Sequence, residues 1–196
     1  IVAHYGFISE RTKIAFTAAH EAGIHIYFVT GRPIRWMSEI KENFNFGTGI
    51  CANGAMLYDF INQKVLEQWL FSPESQLETV KRLREVIPLV NFAVEIDEQF
   101  HREKDYLARW DIGIDNVGVN KIEEVINKPA LKMLARCGDA SMSSDEMMSA
   151  ATKALVGIAT VTHSNSTDSL LEISADGVSK GATLAKMAAR HRLTAD

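Results

Sequence analysis

The chain has 196 residues, 46% of them hydrophobic and 23% charged, with a net charge of -4; this is the composition of a folded globular protein with a sizeable core, enough for one domain or two small ones. The acidic balance gives no electrostatic footprint for nucleic acid or an anionic membrane surface, so neither is expected as a partner. No apolar run approaches the roughly 18 residues that a membrane span needs, and the opening IVAHYGFISERT lacks the basic and apolar regions of a signal peptide.

Ser9 is placed to cap a helix over 10–22, with Ile14, Ala15, Ala18 and Ala22 at helical spacing and Gly23 just past its end. The apolar run 24–29 (IHIYFV) reads as a strand buried on both faces. Pro33 suits the first turn of a second helix ending near Phe44. Residues 49–52 form a short interior strand, and 56–58 with 64–71 a hairpin around a turn at 60–63. Ser72-Pro73-Glu74 then opens a long amphipathic helix to about Val86. Strands come next over 91–96, 131–136, 157–163 and 169–174, and helices over 121–126 and 144–155; no element is assigned over 105–118. A last helix covers 178–192, entered from Asp176-Gly177. Alternating helices and strands at short spacing predict an α/β fold with a parallel sheet covered by helices, and the middle segment carries enough elements for a second α/β layer inserted into the first.

Three stretches point to chemistry. In open α/β sheets, ligands bind beyond the carboxyl ends of strands, and Thr30 stands at such an end in VTGRP (29–33). Its hydroxyl, the space left by Gly31 and the amides of the helix start make a phosphate site, although Thr30 alone could equally cap that helix. In ANGA (52–55) another strand ends at Asn53-Gly54, a pair that readily takes positive φ and on its own reads as a hairpin turn. Lys180, in DGVSKGATLAKMA, falls in the first turn of a helix, where a cation opposes the helix dipole; that suggests an anionic partner, though a lysine there is by itself only a solvated surface residue.

Together the three stretches resemble the haloacid dehalogenase superfamily of phosphatases, in its Cof-type branch with the larger α/β cap. VTGRP is similar to the family's second motif, ANGA to the loop immediately after it, and LEISADGVSKG (171–181) to the third motif, with a cap-sized segment of about 100 residues, 72–174, set between the second motif and the end of the third as such a cap requires. The resemblance covers essentially the whole chain. It implies a Rossmann-like core from 1–71 and 175–196, incomplete at both ends, and an α/β cap over 72–174. It implies a magnesium-dependent phosphatase that works through an aspartyl-phosphate on small phosphorylated metabolites such as sugar phosphates. Thr30 would hold the transferred phosphoryl group and Lys180 would supply positive charge to it. Gly31, Arg32, Asn53 and Gly54 would bind phosphate or substrate, with Gly31 leaving room for its close approach and Arg32 also ordering the loop.

The family's first motif, DxDGT, brings the nucleophile and the general acid/base, and its fourth, GDxxND, brings metal-binding carboxylates. No DxD occurs in the sequence. Residues 1–4 resemble the stretch immediately downstream of DxDGT in the family, and the fourth motif is expected shortly after Asp196. The Gly-Asp pair in CGDASMSSD (137–145) lies in the middle of the presumed cap and is read as unrelated. The chain by itself is therefore expected to carry no magnesium ligands and to be inactive; the alternative is a module that binds a phosphorylated ligand or a partner without catalysis.

Other residues receive plainer readings. Cys51 and Cys137 are reduced buried thiols in a cytoplasmic protein. Six histidines without an HxH or HxxxH pair make no zinc site. Trp36, Trp69 and Trp110 are packing anchors. Glu95, Asp97, Glu98 and Glu103 form a solvated acidic face, from which a leaving-group contact could also come.

Overall fold

The computed structural model describes residues 7–108 and 115–194. The reading of residues 1–4 as the sequel to a first motif, and that of Trp110 as an anchor, lie outside them. The chain divides into two compact units, Ile1–Gln68 with Ser179–Asp196, and Trp69–Val178.

The first unit opens with α1 (Glu10–Glu21), where the Ser9 hydroxyl accepts the Thr12 amide at 3.2 Å. That bond satisfies a helix-start donor and is worth about 1 kcal/mol. The expected strand over 24–29 narrows to β1 (Tyr27–Val29). Beyond it the expected helix to Phe44 splits into a 3-10 turn, Ile34–Trp36, and α2 (Ser38–Asn43). Met37 causes the split: its φ of -105° and ψ of 16° lie outside helical values. Then come β2 (Thr48–Cys51), a second 3-10 turn (Ala52–Gly54), β3 (Met56–Asp59) and β4 (Lys64–Gln68).

The sheet runs β1-β2-β3-β4. β1 and β2 are parallel, with Val29 beside Ile50, while β2-β3 and β3-β4 are antiparallel. The parallel pair aligns the carboxyl ends of β1 and β2, so the residues after Val29 and after Cys51 emerge at the same rim. Phe28 anchors this arrangement: its ring lies 5.2 Å from Phe44, 5.5 Å from Phe60 and 5.8 Å from Phe16 of α1. Such ring pairs add roughly 0.5–1.5 kcal/mol each beyond their buried area. Trp36 is no core anchor; it is part exposed, with the Arg35 guanidinium 5.5 Å over its ring.

The second unit contains α3 (Pro73–Val86), β5 (Val90–Ile96), β6 (Gln99–Arg102), a 3-10 turn Ile122–Glu124, β7 (Lys132–Cys137), α4 (Ser144–Ala154), β8 (Ala159–Thr162) and β9 (Leu170–Ala175). Its sheet, ordered β6-β5-β7-β9-β8, is antiparallel at every junction. β6 has no counterpart in the sequence reading. It comes after a two-residue turn at Asp97 and Glu98, both at positive φ (51° and 63°), a geometry usually signalled by Asn-Gly or Asp-Gly. The helix expected over 121–126 contracts to a single turn, closed by the Glu124 carboxylate on the Lys121 amide at 2.9 Å. The alternate residues Phe92, Val94, Ile96, Met133, Ala135, Leu171 and Ile173 make one buried core with Val80 and Leu83 of α3 and Met147 and Ala151 of α4.

The acidic stretch is not uniformly solvated. Glu95 and Glu103 are buried. Glu103 accepts the amides of Phe92 (2.8 Å) and Ile122 (2.9 Å) and pairs with Arg84 at 2.6 Å, so it ties three segments together. Phe71 also belongs to this unit, bridging to Ala130, as does Gly177, whose amide donates to Thr160. The chain returns to the first unit in α5 (Lys180–Arg190).

Candidate active site

Thr30 comes directly after β1. Its amide donates to Ile50 at 2.9 Å, carrying the parallel pairing one step past the strand. Its hydroxyl accepts the Arg32 amide at 3.1 Å, which folds 30–32 into a tight turn and, among the described residues, leaves Oγ1 with its proton and a second lone pair to offer. The turn is then locked to the loop after β2: Asn53 donates its amide to the Thr30 carbonyl at 3.2 Å, and Ala52 donates to the Arg32 carbonyl at 2.9 Å.

The second loop holds that position against its own preferences. Ala52, Asn53 and Gly54 have φ of 49°, 59° and 106°. For L-residues the left-handed region costs about 1–2 kcal/mol each. Asn tolerates it and Gly54 is free to adopt it, whereas Ala52 carries the strain. Gly54 is also required for space. A Cβ there would meet the Ser179 carbonyl oxygen at 2.4 Å and the Lys180 nitrogen at 3.0 Å. The Gly54 carbonyl in turn accepts the Thr183 hydroxyl at 2.8 Å. The loop after β2 therefore touches the VTGRP turn on one side and the start of α5 on the other.

α5 begins with Ser179, whose hydroxyl accepts the Ala182 amide at 3.1 Å. Lys180 is the first helical residue and is exposed. The free amides of the first turn carry partial positive charge, and the Lys180 ammonium adds to it. All six residues named from the sequence stand on these three segments: Thr30, Gly31 and Arg32 on the first, Asn53 and Gly54 on the second, and Lys180 on the third. Arg32 is exposed. Asn53 is 2% exposed, and neither its side-chain oxygen nor its nitrogen has a hydrogen-bond partner among the described residues. A buried amide in that condition costs roughly 1–3 kcal/mol per group until something meets it.

Two features had weaker signals in sequence. Ser179 and Thr183 secure α5 to Gly54. A serine before a helix announces the cap, but nothing local announces the Thr183 bond, whose partners are 129 residues apart. A cavity of about 280 Å³ opens beside Thr30, lined by Phe28, Val29, Arg32, Trp36, Met37, Glu39 and Ile40. Beneath the rim, burial pushes the Cys51 thiol up to about 12 despite the nearby Lys41, so it is neutral and unreactive at pH 7.

Magnesium needs several carboxylate or other oxygen ligands. Among the described residues no group of three His, Cys, Asp or Glu could hold a metal ion, and Glu39 is the acidic residue on the cavity beside Thr30. Hydroxyl, amides and ammonium suit an anion; on their own these residues do not fit the cation.

Residues 2–196 match the family of haloacid dehalogenase-like hydrolases. Among solved structures, a phosphatase of the haloalkanoate enzyme superfamily from Bacteroides thetaiotaomicron is 18% identical with a TM-score of 0.73, over 98% of this chain and 69% of that one. A protein from Streptococcus mutans is 16% identical with a TM-score of 0.74, over 100% and 74%. A sugar phosphatase of subclass IIB is 17% identical with a TM-score of 0.65, over 96% and 71%. At these identities the likeness is one of fold. No curated protein matches the sequence.

Proposed function

This chain belongs to the haloacid dehalogenase-like hydrolases, and from that membership we propose a Cof-type, magnesium-dependent phosphatase acting through an aspartyl-phosphate on small phosphorylated metabolites such as sugar phosphates. One observation carries the reading: the hydrogen bonds and close approach that join the segments of Thr30, Asn53-Gly54 and Lys180. Phosphoryl transfer is catalysed mainly by positioning and by charge placed where negative charge develops. In this reading the Thr30 hydroxyl donates to a phosphoryl oxygen. Lys180 and the first amides of α5 supply the positive field, Gly31 lets the ligand approach the backbone, Arg32 braces the turn and Asn53 turns its unmet amide to phosphate or substrate. Residues 72–174 serve as the cap. The IIB neighbour's sugar phosphates suit the same class of substrate, and two buried free thiols suit the cytoplasm.

These 196 residues supply no DxD. On this reading the chain binds phosphate without turning it over, because covalent transfer needs a nucleophile in line with phosphorus. A second reading is a non-catalytic module for a phosphorylated ligand or a partner. One experiment separates them. The chain and a version extended by DxDGT and GDxxND segments are assayed with p-nitrophenyl phosphate and a panel of sugar phosphates, with and without magnesium. Turnover is expected only from the longer protein, only with metal, and not when the first-motif aspartate is asparagine. Metal-dependent turnover by the 196-residue chain overturns the assignment of roles. Phosphate binding by both proteins with turnover by neither establishes the module.

A further inference from the structure

The cavity beside Thr30 is more apolar than phosphate alone requires. A phosphate is met by hydroxyl, amides and ammonium. Among the described residues the cavity of about 280 Å³ is walled instead by Phe28, Met37 and Ile40, which are buried, and by Val29 and Trp36, which are 40% and 38% exposed. All of them belong to the first unit. Apolar walls with a few polar groups at one side are the usual make-up of a small-molecule pocket, in which the polar groups fix the orientation.

The 3-10 turn Ile34–Trp36 explains why a tryptophan stands there. Residues three apart in such a turn eclipse one another. Ile34 and Met37 both point inward and are buried, which leaves Trp36 on a different side, part exposed and on the cavity wall. The Arg35 guanidinium, 5.5 Å over the indole, restrains it. The size of the cavity limits what enters. A cavity of about 150 Å³ with apolar walls admits benzene, so this one has room for a substituted six-membered ring. A sugar ring of that size would press its hydroxyls against Phe28, Met37 and Ile40, whose side chains offer no hydrogen bond, and each hydroxyl left unmet lowers affinity. Glu39 is the carboxylate on the wall, and it opposes a second anionic group on the ligand.

We propose that this cavity receives the organic part of the phosphate ester and selects an uncharged aromatic ring over a sugar, with Trp36 as the surface on which the ring lies. The inference rests on the phosphatase reading above and narrows its substrate class. Thr30, which lines the same cavity, sets the phosphoryl group at one end, and the ring fills the apolar remainder. Trp36 is then a specificity-determining residue: it adds affinity for the ring and none for phosphate.

The test uses the 196-residue chain with 13C and 15N label and follows the assigned Trp36 indole N–H signal while inorganic phosphate, ethyl phosphate, glucose 6-phosphate and phenyl phosphate are titrated. Each ester carries one phosphate, so the three differ in the organic group alone. Phenyl phosphate is expected to move the indole signal by its ring current and to bind about fivefold more tightly than the ethyl and sugar esters, the gain that one aromatic pair supplies. Trp36→Ala should bring that ratio close to one, and Trp36→Phe, which keeps a ring, should retain most of it. Thr30→Val should weaken all four ligands alike. If Thr30→Val weakens them but phenyl phosphate binds no better than the other esters and leaves the indole signal in place, the cavity inference falls and the phosphatase reading stands. If Thr30→Val changes none of the four, the phosphatase reading falls and this inference falls with it. The indole signal and the ranking of the esters are read on the unaltered chain, so neither depends on a variant that folds.

Discussion

Gly54 and Ser179 are packed so closely that a single added carbon on Gly54 would lie 2.4 Å from the Ser179 carbonyl oxygen. The neighbour is helix backbone, which cannot rotate aside, and the glycine's φ of 106° is one that other residues avoid. Gly54→Ala is therefore expected to destabilise the first unit by roughly 2–4 kcal/mol, read as a lower urea midpoint, and to lower phosphate affinity with it. Thr183→Val, which removes only the hydroxyl on the Gly54 carbonyl, should cost about 1 kcal/mol.

Thr30 and Lys180 should contribute separately to anion binding. Thr30→Val keeps the side-chain shape and removes the donor; Lys180→Met keeps the stem and removes the charge. Each is expected to weaken inorganic phosphate about tenfold by calorimetry, or about 1.4 kcal/mol. The Lys180 effect should shrink between low and high salt, because that residue is exposed. Equal binding by wild type and both variants would remove these residues from the site.

Glu103 is a strut. Glu103→Ala strands the Phe92 and Ile122 amides inside the second unit, while Arg84 keeps its second partner, Glu123. A loss of about 2–4 kcal/mol in unfolding free energy is expected. Hydrogen exchange at those two amides should rise by more than at Ala135 on β7.

Asp139 gives a pH signature. The Cys137 thiol first, and then the Ser141 amide, hold its carboxyl down to about 2. A carboxyl that is more acidic folded than unfolded stabilises the fold at pH values above its ordinary one near 3.9, and that contribution fades as pH falls toward 2. Asp139→Asn should therefore be less stable than wild type at pH 6. The gap between their urea midpoints should close between about pH 4 and pH 2; a gap that persists at pH 2 would point to a cause other than ionisation.

Much of the element order is legible in the sequence because it obeys local signals. Ser9, Ser72 and Ser143 each cap the helix next to them, and the period-two runs in β5, β7 and β9 mark one buried face. The three site segments are legible as strand ends and a helix start. The sequence does not reveal what long-range contacts decide. Met37 interrupts a segment whose composition reads as continuous helix. The turn at Asp97-Glu98 lacks a glycine, so β6 goes unannounced. Glu103 reads as one more acidic surface residue until Phe92 and Ile122 are seen to lean on it.

The order in which a ribosome delivers these segments has a consequence for assembly. The second unit is one uninterrupted stretch, Trp69–Val178, so all its strands and helices have been made before α5 exists. The first unit is split around it. The Thr183 bond to Gly54 bridges 129 residues and cannot form until α5 has left the exit tunnel. The turn after β1 and the strained loop after β2 must therefore wait through the synthesis of an entire neighbouring unit for the piece that clamps them. That makes the rim of the first unit set later than the second unit, and leaves it open to holdase chaperones while it waits.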